Sequence, residues 1–96
     1  MPSRTGNEEA DKKLEEYNIA LQELAALAMS GKVNRGDFVR EAIRISDHYT
    51  NMLFMLGGAD MNNKDALLAL DKLLEQNRRS SRKLAADIFS GKYNVE

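Results

Sequence analysis

Apolar residues in this chain recur at alternating intervals of three and four, and that spacing decides its secondary structure. Leu14, Tyr17, Leu21, Leu24 and Ala28 are spaced 3, 4, 3 and 4. Phe38, Ala42, Ile45, Tyr49, Met52 and Leu56 follow at 4, 3, 4, 3 and 4, with Val39, Ile43 and Leu53 as a second stripe beside them. A third seam carries Leu67, Leu70, Leu74, Leu84 and Ile88, with Asn77 and Ser81 at the two seam positions between Leu74 and Leu84. Nowhere do four or more residues alternate cleanly, as a half-buried strand requires. The chain is therefore expected to be all-α, built from three amphipathic helices with coiled-coil-like seams.

Punctuation sets the helix ends. Gly31 after Ser30, Gly91 after Ser90 and the pair Gly57-Gly58 stand where a left-handed residue closes a helix. Asn34 with Asp37 three residues later is the expected N-cap of the second helix, the third starts near Asn62 or Asn63, and the first near Thr5 or Asn7. The spacing predicts helices over about 7–30, 35–57 and 63–90. Helices of this length joined by loops of about four to six residues run antiparallel as a helical bundle. Residues 1–96 read as one helical domain, with 1–6 and 91–96 as flexible ends.

Composition narrows the class further. The chain has 96 residues, no cysteine, no tryptophan and a formal net charge of −1. That excludes a disulfide-stapled secreted scaffold and thiolate-bound zinc or iron–sulfur sites. The polar amino terminus, leading from Met1-Pro2 into Glu8-Glu9, has no apolar stretch for a signal peptide, proline at position 2 excludes myristoylation, and Tyr93-Asn94-Val95-Glu96 carries no prenylation cysteine. The longest apolar run, Met52 to Leu56, is far below the roughly 20 residues of a membrane span. A cytoplasmic protein with no membrane contact is expected.

Met52, Leu53, Phe54, Met55 and Leu56 point in every direction around the last turn of the second helix, more than one neighbour covers. That surplus predicts completion of the bundle by a second copy, most simply a dimer, with a compact monomeric core as the alternative. Asn77 and Ser81 bear on the same choice. They either fix register in an assembly, or mark where the seam ends at Leu74 and the third helix projects into solvent.

Residues 24–34 and 84–94 agree at seven of eleven positions, and both are helix ends closing in Ser-Gly-Lys. In an up-down-up bundle the two caps share an end, bringing Lys32, Arg35 and Lys92 near one another as an anion or acidic-partner site; the alternative is two independent uses of one good C-cap. Neither triplet is a phosphate loop, since both end a helix where that motif begins one.

Catalytic groups are sparse. His48, the single histidine, continues the line of Arg40 and Arg44 on a polar face, and no ligand spacing surrounds it. No serine has a base placed to activate it. The run Asp37-Phe38-Val39-Arg40-Glu41 resembles the Asp-x-x-Arg-Glu run of the helical chorismate mutases, and the resemblance implies a small dimeric helical enzyme. It covers those positions alone, and the first helix lacks the arginines with which that family holds its substrate carboxylates. No catalytic, cofactor-binding or metal-binding residue is expected.

The strongest charge feature is Arg78-Arg79-Ser80-Ser81-Arg82-Lys83, which forms one basic patch on a helix. Residues 1–30 hold three basic and six acidic groups, whereas 63–96 hold seven and five. These features predict a protein-interaction module (a regulator, adaptor, inhibitor or chaperone) that binds its own copy and another protein without catalysis. Met52, Phe54 and Met55 would supply the apolar contact, with Met29 and Met61 as further adaptable surface, and Arg78, Arg79, Arg82 and Lys83 an electrostatic rim. The alternative is a nucleic-acid-associated regulator using the basic patch, though no aromatic residue interleaves it for base stacking.

Overall fold

A computed structural model describes residues 8–91 and contains three helices: α1 (Glu8–Met29), α2 (Arg35–Leu56) and α3 (Lys64–Phe89). The all-α expectation holds, and each helix boundary falls within a residue of its predicted place. The expected first N-cap at Thr5 or Asn7 lies outside the described residues, as do the expected flexible ends, apart from Gly91.

The caps explain why the helices stop and start there. Asn34 Oδ1 accepts the Asp37 N–H at 2.8 Å, and Asn63 Oδ1 accepts from Asp65 and Ala66 at 2.8 and 3.3 Å. Each satisfies donors that a helix start leaves unpaired. At the other ends Gly31, Gly58 and Gly91 take φ of 77°, 80° and 84°. Gly31 N–H donates to Ala28 O while Lys32 N–H reaches back to Leu27 O; Gly58 and Ala59 repeat this with Met55 and Phe54. This is the Schellman closure, which requires a left-handed residue. Of the Gly57-Gly58 pair, the second supplies it, since Gly57 has φ −74°.

The internal similarity of 24–34 and 84–94 acquires a physical meaning from the caps. Ser30 Oγ donates to Leu27 O at 3.0 Å and Ser90 Oγ to Asp87 O at 3.1 Å, each followed by a left-handed glycine. Both segments use one way of ending a helix. Of the three expected cations, Lys32 and Arg35 are exposed and Lys92 lies outside the described residues.

α2 is the middle helix: α1 and α3 both pack along it and meet each other little. They meet at the end where the core lies. Leu24 and Ala28 of α1, Phe38 and Ala42 of α2, and Ala85 and Ile88 of α3 form one buried cluster. Its alanines let the backbones approach closely, and Phe38, 0% exposed, is the large side chain that fills the space, edge-to-face on Phe89 with centroids 6.0 Å apart. Apart from this cluster, Ala10 and Leu70 are the buried apolar residues among those described. The molecule is 34 Å wide and 17 Å thick, so it has little depth in which to hide side chains.

Polar contacts hold the middle of α2. Tyr17 stacks on Tyr49 at 5.6 Å and its hydroxyl donates to the buried Ser46 Oγ at 2.9 Å. On the other flank, Asn77 Nδ2 donates to Thr50 Oγ1 at 2.9 Å and more weakly to Asp47 Oδ1 at 3.4 Å. These bonds correct one expectation. The α3 seam does not end at Leu74, because Asn77 bonds to α2, Ser81 is buried, and the seam continues to Ala85 and Ile88. Asn77 thus sets register within the chain.

Candidate interaction surfaces

Expected binding residues line separate grooves on different elements. Met52, Met55 and Leu56 of α2 meet Glu9 and Lys13 of α1 around an apolar depression of about 270 Å³. Met55 is 64% exposed. Leu53 and Phe54 are half-buried, and Phe54, two positions from Met52 and so about 200° round the helix, lies on the other flank of α2. The arginines line a separate trough of about 400 Å³ made by Asp71, Leu74, Glu75, Arg78, Arg79 and Arg82 of α3. The structure therefore groups Met52 with Met55 and Arg78 with Arg79 and Arg82, but does not join the two groups. Glu9 and Lys13 form the charged rim of the methionine groove.

Within the basic patch the four side chains are not equivalent. Arg79 Nη2 pairs with Glu75 Oε1 at 2.9 Å, both well exposed. Arg78, Arg82 and Lys83 also stand exposed, with Asp71 in the same trough moderating the field of the arginines. A trough lined by one helix cannot enclose a small ligand, so it suits a side chain or a backbone laid across it.

The thin, three-helix arrangement leaves exposed apolar side chains that periodicity placed inside or left out. Leu67, expected on the α3 seam, is 41% exposed, and Leu68 and Leu73 are exposed at 53% and 40%. On α1, Ile19 and Leu27 are also exposed. The sequence signal was present in the leucines off the α3 seam, at 68 and 73. What it lacked was that α1 and α3 each pack mainly on α2 and meet each other little.

Charge divides by helix. Six carboxylates against two lysines leave α1 at −4, three of each sign leave α2 neutral, and six cations against four carboxylates leave α3 at +2. With α2 between them, the acidic and basic helices form opposite flanks.

The Asp37–Glu41 run makes local pairs on an outer face. Arg40 reaches Asp37 at 3.5 Å, and Arg44 donates to Glu41 from Nε and Nη2 at 3.0 and 2.8 Å. The hydrogen bond from Arg44 holds the Glu41 carboxyl below its ordinary range, and the same bond raises the Arg44 guanidinium. His48 is exposed, edge-on to Tyr49. Among the described residues no three carboxylate or imidazole groups gather as a metal site would require, and no helix is long and apolar enough to cross a membrane. No family model, curated protein or solved structure matches the chain.

Proposed function

We propose that this protein is a helical interaction module that acts by presenting helix faces to another protein and to its own copy. The observation that carries this reading is the exposure of Ile19, Leu27, Met29, Met55, Met61, Leu67, Leu68 and Leu73, each between 38% and 64%, on a molecule only 17 Å thick. A chain this small buries only about 60–65% of its unfolded surface, and leucines left in water on both flanks are the contact area that association would remove from solvent. Methionines in the α1/α2 groove adapt to different partners because their side chains are unbranched and polarisable. A regulatory, adaptor, inhibitory or chaperone role in the cytoplasm fits this surface, without a catalytic step.

The test uses the intact chain as bait, with Met55→Asp as the variant, since Met55 is the most exposed of these side chains and its replacement leaves the core intact. Partners retained by wild type and lost by a variant of unchanged helicity support the reading. A wild type that retains no protein and remains a single chain at high concentration refutes it. Retention of RNA or DNA at low salt, abolished by Arg78→Glu with Arg82→Glu, would move the assignment to a nucleic-acid-associated regulator.

A further inference from the structure

Building on the interaction reading, we infer that a second copy of this chain docks by laying its α1 antiparallel along α3 of the first. Two patterns support this pairing, the first selecting the two helices and the second their direction. The first is charge: α1 carries −4 and α3 +2, on opposite flanks of α2. The second is the order of residues along each helix. In α1 the exposed apolar residues Ile19 and Leu27 follow the acidic half containing Glu8, Glu9, Glu15 and Glu16. In α3 the exposed Leu67 and Leu68 precede the basic half containing Arg78, Arg79, Arg82 and Lys83. Only the antiparallel alignment sets apolar on apolar and acidic on basic together.

The spacing agrees as well as the order. Leu27 lies eleven residues from Glu16, and Leu67 lies eleven residues from Arg78. Eleven residues make about three helical turns, so each pair shares one face of its helix. Setting Leu27 against Leu67 therefore brings Glu16 to Arg78, Ile19 to within a residue of Leu74, and Glu9 to within three residues of Arg82. Leu74 and Arg78 line the α3 trough that this contact would fill. Glu16 is engaged with Lys13 at 3.1 Å, but both are solvent-accessible and can exchange partners. Two contacts oppose the register: Glu23 meets Asp71, with Lys72 beside it, and Lys12 meets Arg82, with Asp11 opposite Lys83 beside it.

The contact is heterologous, joining a face of α1 to a different face of α3. Because these faces lie on opposite flanks, each docking event leaves an unused α1 on one copy and an unused α3 on the other. Assembly continues past two copies. A contact between single helices is at or below the ~1,200 Å² floor of standard interfaces, so association is weak and depends on concentration and salt.

The experiment measures native mass by sedimentation from about 10 μM to 1 mM, a range spanning weak self-association. One variant carries Glu9→Arg and Glu16→Arg, the other Arg78→Glu and Arg82→Glu; circular dichroism confirms that both fold. Each alone should remain a single chain. Their equimolar mixture should recover the wild-type mass distribution, because the charge-reversed α1 of one meets the charge-reversed α3 of the other. Asp71→Lys should shift wild-type association to at least threefold lower concentration by replacing the repulsion between Glu23 and Asp71 with an attraction. A wild type that associates while the mixture does not overturns this pairing and leaves the interaction reading in place. A wild type of single-chain mass throughout also overturns the pairing, and the separate partner-capture result then decides the broader reading.

Discussion

Phe38→Ala is the sharpest test of a core concentrated at one end of the molecule. The ring is 0% exposed, is the largest fully buried side chain among the described residues, and sits where Leu24, Ala28, Ala42, Ala85 and Ile88 converge. Three of those neighbours are alanines, too small to fill the space that the ring vacates. The loss therefore combines transfer and cavity costs at about 3–5 kcal/mol, including the edge-to-face contact with Phe89. A domain of this size has roughly 5–14 kcal/mol of stability in total, so a ~4 kcal/mol loss should lower Tm by ~15–30 °C. Met55→Ala, at an exposed position, should stay within about 0.5 kcal/mol. Urea unfolding followed by circular dichroism measures both on one scale. A Phe38→Ala loss below about 1.5 kcal/mol, or equal losses for the two variants, would refute a core centred on this ring.

Other perturbations probe the remaining contacts. Tyr17→Phe retains the stack on Tyr49 but removes the donor to Ser46, and should cost about 0.5–1.5 kcal/mol, with most of the loss absent in a Ser46→Ala background. Asn63→Ala should destabilise by ~1 kcal/mol in the same denaturation assay, since two helix-start N–H groups lose their acceptor. Gly31→Ala places a methyl group where nothing lies within 4 Å, so its cost of about 1–2 kcal/mol comes from the left-handed φ of 77° alone. Glu41 has a folded pKa below its ordinary value of 4.5, so its contribution is complete above pH 4.5 and disappears as pH falls through the lower folded value. Wild type and Glu41→Gln should therefore differ in unfolding midpoint at neutral pH and converge in acid; a difference that persists or grows below that window would contradict the sign.

The local architecture was readable because its causes are local. An apolar period of three and four requires a helix face, an asparagine before it supplies a cap, and a glycine after it permits the left-handed closure; no distant residue takes part. Hence α1, α2 and α3 begin and end within a residue of the expected positions, and Leu24, Ala28, Phe38, Ala42 and Ile88 are buried as their spacing requires. The sequence also identified Met55 and the arginines of α3 as exposed candidates for binding, but it had no means of showing that they belong to separate grooves.

Tertiary structure decided those matters that depend on the angles between helices. Residues of all three helices meet around Phe38 and bury it completely, while Leu67 is exposed although it lies on the same periodic seam as the buried Leu70. Asn77, ambiguous on the seam, finds Thr50 and Asp47 only because α3 crosses α2 at that height. Periodicity specifies which way a side chain points from its own axis. Whether another axis stands there to cover it depends on the packing of all three helices, which no single periodic seam contains.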